Sequence, residues 1–199
     1  EAGTTVQLTW TTVDPDGTGP CPQVIASVGV NVLEAATAQA NGPYATCGTG
    51  PVSISASTNG TGQWSSSGSG TFGDASAPAT TYTPGVNEVG STVTLTWETF
   101  DPDGGGPCTG AESSTDLVIT VPATAQPGGP YTICSSDVAN IEVTTTPGGG
   151  VWSGGQGSFG DASASSTTYT PGPGEAGTTV QLTWTTVDPD GTGPCPQVI

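Results

Sequence analysis

The sequence predicts an all-β protein made of small two-layered sandwich units joined in a stiff linear array. Three observations carry that prediction. Apolar residues alternate at a period of two in short runs, Gly- and Pro-rich turns separate the runs, and the pattern returns every 87 residues.

Composition sets the bounds. The 199 residues include no Lys, Arg, His or Met, and the formal charge is -17. Weak hydrophobicity can leave a chain disordered, because burial then fails to offset the entropy of ordering. Here the charged residues are only 9% of the chain, and the apolar runs are regular, so folded β structure is expected. Phosphate binding depends on Lys and Arg, which excludes nucleic acid as a partner. A chain without a polybasic segment has no hold on an anionic membrane surface. No apolar run approaches the ~18 residues needed to cross a bilayer, so no membrane insertion is expected.

The repeats are visible in single residues. Cys21, Cys108 and Cys195 lie 87 apart, as do Cys47 and Cys134, Tyr82 and Tyr169, and Asp74 and Asp161. Trp10, Trp97 and Trp184 keep the same period, and Asp-Pro-Asp-Gly recurs at 14–17, 101–104 and 188–191. Trp64 and Trp152 slip by one residue, and Phe72 and Phe159 restore the register, as a loop or bulge adjustment would produce. Residues 1–25 recur unchanged at 175–199, whereas 88–112 differ at many positions. The duplicated unit is therefore a pair of non-identical repeats, and the chain is expected to be a stretch of a longer array.

Each repeat divides into strands. Val93, Leu95 and Trp97 share one face, with Thr92, Thr94, Thr96 and Glu98 on the other. Residues 4–10 and 178–184 repeat this order. Val52, Ile54 and Ala56 alternate with serines, and Ile141 and Val143 with Glu142 and Thr144. Residues 116–121 close the repeat, as Val28, Val30 and Val32 do one repeat earlier. Shorter strands are expected around Trp64 and Trp152 and at 80–83 and 167–170. About seven short strands in 87 residues suit an immunoglobulin-like sandwich.

The segments TYTPG (81–85) and VTLTW (93–97), with the acidic glycine turn that follows, resemble the second half of a PKD-type domain. Phe72-Gly73-Asp74 and Phe159-Gly160-Asp161 are similar to that family's W-x-F-G-D-G segment, although the Trp here lies seven or eight residues upstream instead of two. NGPYATC (41–47), GGPYTIC (128–134), WSGG (152–155) and DPDGTGPCP (188–196) resemble the Ig/PKD-like tandem repeats of giant secreted surface proteins of Bacteroidota. That resemblance implies an extracellular, cell-surface location, export by type IX secretion, and a role in adhesion, gliding or appendages.

This phasing makes residues 1–34 the C-terminal strands of one repeat, 35–121 a complete repeat, and 122–199 a repeat lacking its last strand. No flexible linker separates them, which predicts a rod. A sandwich this small and polar gains from disulfides. Within repeats the pairs are Cys47–Cys108 and Cys134–Cys195, with Cys21 paired to a cysteine outside this stretch. Each closed loop would contribute ~2–4 kcal/mol in an oxidising compartment. In an immunoglobulin strand order, however, Cys47 and Cys108 sit at opposite poles, ~26 Å apart along a strand, while a disulfide requires Cα atoms within ~7 Å. An inter-domain bond, Cys47–Cys195, and links between chains remain as alternatives.

Other chemistry is sparse. Asp101, Asp103, Asp188 and Asp190 are calcium candidates, since a DxDG loop donates oxygens. The simpler role is a β-turn with Asp first, Pro second and Gly fourth. No CxxC and no His supply a zinc site. Nucleophilic triads lack a base, and turn carboxylates copied once per repeat make a poor hydrolase, so no enzyme and no cofactor are expected. Trp97 belongs to the core by its alternation, whereas Trp64 and Trp152 could join it in a sugar-stacking platform. The expected function is a structural segment of a giant extracellular filament or appendage, with other copies of itself as partners in a multi-chain fibre. The alternatives are a monomeric stalk presenting a distal binding domain to surface glycans or proteins, and a carbohydrate-binding module.

Overall fold

The computed structural model describes residues 2–199, and every regular element in them except one is a β-strand. The exception is a 3-10 turn at Val86–Glu88, too short for any periodicity to announce. No helix among the described residues is long and apolar enough to cross a membrane.

A hairpin comes first. β1 (Thr4–Thr11) and β2 (Ile25–Val32) pair antiparallel along their full lengths, from Thr4↔Val32 to Thr11↔Ile25. Among the described residues neither pairs with any other strand.

Next are β3 (Ala38–Ala40), β4 (Tyr44–Cys47), β5 (Val52–Thr58), β6 (Gly62–Ser66), β7 (Thr71–Phe72), β8 (Ala79–Thr83), β9 (Thr92–Thr99) and β10 (Glu112–Thr120). They form two four-stranded sheets, ordered β3-β5-β8-β7 and β4-β10-β9-β6. All pairs are antiparallel except β4 with β10. Ala40, Ile54 and Tyr82 from one sheet and Trp64, Val93, Leu95, Trp97, Leu117 and Ile119 from the other make a single core. The arrangement is compatible with a β-sandwich. Burying side chains of this size contributes about 1.5–3 kcal/mol each. Trp64 meets Trp97 edge-on, with ring centroids 5.5 Å apart.

The remaining strands are β11 (Thr124–Pro127), β12 (Ala139–Thr146), β13 (Gly150–Gly154), β14 (Ser158–Phe159), β15 (Ser166–Thr170) and β16 (Leu182–Thr186). One sheet is ordered β11-β12-β15-β14, and β13 pairs with β16. Ala139, Ile141, Val143, Trp152, Tyr169 and Trp184 form their core, and Trp152 meets Trp184 at 5.3 Å.

The tryptophan slip is absorbed in turns, without a bulge. Trp64 faces Trp97 and Trp152 faces Trp184 in the same register. The extra residue falls between Thr145 and Gly150, and the compensating loss between Gly154 and Ser158.

Two differences from the sequence expectation have a common cause. The stretch 38–120 holds eight strands, because the opening segment splits into β3 on one sheet and β4 on the other. The corresponding segment Tyr131–Cys134 forms no strand. β4 exists through its parallel ladder with β10, and nothing equivalent to β10 lies beside β16 among the described residues. Residues 4–11 and 178–185 are identical in sequence, yet β1 spans eight residues and β16 only five. β1 has a full-length partner; β16 pairs only with the five residues of β13. Pairing sets strand length here, and the amino acids set only which face is apolar.

Candidate functional site: a stapled junction

Residues 47–50, 90–92, 118–123 and 147, together with the 188–195 loop, meet where the first core gives way to the second. β4 ends at Cys47, opposite Thr120 at the end of β10. The Gly48 amide donates to the Thr120 carbonyl at 2.9 Å. Gly48 has φ +58, and a Cβ there would lie 2.9 Å from the Pro122 ring. Only glycine suits both the backbone and the space. A groove at the junction is lined by Gly90, Thr92, Val118, Val121, Pro147 and Pro189.

The 188–195 loop is shaped by its own carboxylates. Asp188 Oδ1 accepts the amides of Asp190 (3.1 Å) and Gly191 (2.8 Å), and Asp190 Oδ2 accepts the Cys195 amide (3.0 Å). Gly191 takes φ +73, and Gly17 and Gly104 take +74 and +67 in the equivalent loops. Asp14 and Asp101 bind the same two amides, and Asp16 and Asp103 bind the amides of Cys21 and Cys108. The Cys108 amide is the main influence holding the Asp103 carboxyl below its usual value, against some burial that pushes it up. Burial and the Asp103 charge in turn push the Cys108 thiol up. Each Asp-Pro-Asp-Gly turn thus presents its cysteine by carboxylate-to-amide bonds.

The disulfide joins Cys47 to Cys195, with Cα atoms 5.0 Å apart. Cys195 is 1% exposed, and its sulfur lies 3.7 Å from the Thr120 carbonyl. The intra-domain pairs Cys47–Cys108 and Cys134–Cys195 are not formed, and Cys21, Cys108 and Cys134 are free thiols. For Cys47–Cys108 the reason is polar separation. β10 runs from the Cys108 loop to the residue beside Cys47, and its nine residues span ~30 Å. The bond found is the other pairing the sequence left open, Cys47–Cys195.

The calcium candidates Asp101, Asp103, Asp188 and Asp190 are placed in these loops, where their oxygens take backbone amides. Among the described residues no group of three or more His, Cys, Asp or Glu could hold a metal ion. The stacking platform loses its residues: Trp64, Trp97 and Trp152 are each 5% exposed or less. Trp10 is the exposed tryptophan, at 74%.

A buried carboxylate has no counterpart among the sequence expectations. Glu88 Oε1 accepts the amides of Ser69 and Gly70 and the Tyr82 hydroxyl; Oε2 accepts the Gly85 amide at 2.8 Å. Burial raises the pKa of Glu88, and the amides of Gly85, Gly70 and Ser69 together outweigh it, leaving the group below its ordinary value. Glu175 repeats the arrangement with Gln156, Gly172 and Tyr169. The available signal was the recurrence of a Glu six residues after Tyr82 and after Tyr169. No family model matches the chain, and a search of curated proteins finds no match to it.

Proposed function

We propose that this chain is a load-bearing structural segment of a giant extracellular filament or appendage, assembled with other copies of itself and serving surface adhesion or contact. The observation that carries the reading is the Cys47–Cys195 bond, which ties the end of β4 in the first core to a loop that follows β16. A covalent staple placed where two cores meet limits their relative motion, as a rod requires. Its oxidised state favours an extracellular site, because the cytosol keeps thiols reduced. The sheet orders β3-β5-β8-β7 and β4-β10-β9-β6, with an opening strand shared between sheets, support an immunoglobulin-like unit. The 87-residue period supports its repetition in tandem, with units at 35–121 and 122–199 and a partial one at 1–34. The absence of Lys and Arg removes every trypsin-type cleavage site, which suits an exposed fibre.

Electron microscopy of the native particle tests the reading. Fibres of several laterally associated chains are expected. Isolated thin single-chain rods would favour the stalk instead, and a compact particle would end both.

A further inference from the structure

The turn between β5 and β6 holds the segment that leads from β2 into β3, and it does so through Asn59. Asn59 Oδ1 accepts the Thr37 amide at 2.8 Å. Its Nδ2 donates to the Ala35 carbonyl at 3.0 Å and to Glu34 Oε1 at 3.4 Å. All these residues are exposed, so water competes for each bond.

An asparagine amide is thermolabile, because the main-chain nitrogen of the next residue can attack it. A side chain on that next residue obstructs the attack, and glycine removes the obstruction. Asn31, Asn87 and Asn140 precede Val32, Glu88 and Ile141; only Asn41 and Asn59 precede glycine. Those two glycines differ in freedom. A Cβ on Gly42 would strike the Thr115 hydroxyl and crowd the Tyr44 ring, so the main chain there is packed in place. Around Gly60 nothing lies within 4 Å of the same position. The Gly60 amide donates to the Thr58 hydroxyl at 3.2 Å, the long end of the range, so little opposes its turning. One repeat later the corresponding residues are Thr146 and Pro147, which supply neither the amide nor an N–H to attack it.

We propose that Asn59-Gly60 is a self-modifying site, gated by the hydrogen bonds of Asn59 to residues 34–37. While those bonds hold, the side-chain amide cannot swing toward Gly60. When they open, the Gly60 nitrogen attacks Asn59 Cγ and closes a succinimide ring. The Cγ–Nδ2 bond breaks, and ammonia leaves with the proton that the Gly60 nitrogen gave up. Water then opens the ring at either carbonyl, giving aspartate or isoaspartate. Water is the only co-reactant, and nothing is oxidised or reduced.

The product cannot remake the clamp. A carboxylate has no hydrogen to donate to the Ala35 carbonyl. It also sets a second negative charge beside Glu34, in a chain with no Lys, Arg or His to offset it. In isoaspartate the main chain runs through the former side chain, which takes the Thr37 acceptor out of place. The site therefore registers an opening of the β2–β3 segment and makes it permanent. This chemistry stands apart from the fibre reading, which needs no reaction at residue 59.

The test incubates the intact 199-residue chain in mildly alkaline buffer, with and without urea. Non-tryptic peptide mapping and isoaspartate-specific methylation follow each asparagine. In the folded chain Asn59 should convert ahead of the other four. Its folded rate should lie about tenfold or more below its rate in urea, the hold that one or two ordinary hydrogen bonds provide. Gly60→Ala, whose Cβ meets nothing, should leave the far-ultraviolet circular dichroism unchanged and slow conversion in both conditions. In the purified product, hydrogen exchange of the Thr37 amide should quicken severalfold. Asn41 converting before Asn59 in the folded chain, equal Asn59 rates with and without urea, or an unchanged Thr37 exchange rate would each overturn the proposal. Fibres present or absent alter none of these readings.

Discussion

Removing the staple should cost more than removing any other cysteine. Cys47→Ala or Cys195→Ala frees a loop of 148 residues, and the chain-entropy relation assigns that closure about 5 kcal/mol at 25 °C. If the second core stays folded while the first opens, the released loop is roughly half as long, which changes the figure by only about 0.6 kcal/mol. At about 2–4 °C per kcal/mol for a chain of this size, the midpoint should fall by about 10–20 °C. Scanning calorimetry of the non-reduced protein at low concentration measures it. Cys108→Ala and Cys134→Ala should stay within about 0.5 kcal/mol of the parent, because both are free thiols. An unshifted midpoint for Cys47→Ala, or a large drop for Cys108→Ala, would refute the assignment and return the pairing to a single unit.

Three further outcomes are expected. Trp97→Ala should destabilise by about 3–5 kcal/mol in urea unfolding, whereas Trp10→Ala should change the monomer by no more than about 0.5; equal effects would contradict their exposures of 0% and 74%. Glu88 has a folded pKa below its ordinary 4.5, so its contribution is complete above pH 4.5 and is lost as the pH falls through the folded value. Urea titrations should therefore show Glu88→Gln about 1–3 kcal/mol less stable at pH 7 with a shallower loss on acidification, and a parallel pH profile would refute this. Millimolar Ca²⁺ or a chelator should leave the midpoint unchanged, and Asp101→Asn should shift stability by less than about 0.5 kcal/mol. A calcium-dependent rise that Asp101→Asn abolishes would restore the calcium candidates.

What the sequence disclosed was whatever depends on alternation and repetition. Val93, Leu95 and Trp97 declare a buried face in any sheet, and Cys21, Cys108 and Cys195 declare one loop three times. What it withheld depends on partners distant along the chain. The split of the opening segment into β3 and β4 is decided by β10, about 70 residues later, and the same segment at 131–134 stays unpaired without such a neighbour. The cysteine pairing was likewise open, because identical spacing serves a bond within a unit or across two. Polar geometry, not spacing, selects Cys47–Cys195. Glu88 drew no expectation, since apart from the Tyr82 hydroxyl its donors are main-chain amides, which carry no sequence signature, and only its recurrence as Glu175 marked it.

The placement of the staple has a mechanical corollary. Pulling the second core away from the first loads β10 through the peptide at Val121 and β4 through the sulfur bridge at Cys47. These neighbours run parallel and end together, Thr120 opposite Cys47. Tension therefore enters both in the same direction, and the ladder between them is not sheared. A stretched chain would have to tear β10 from β9 before it could part β10 from β4.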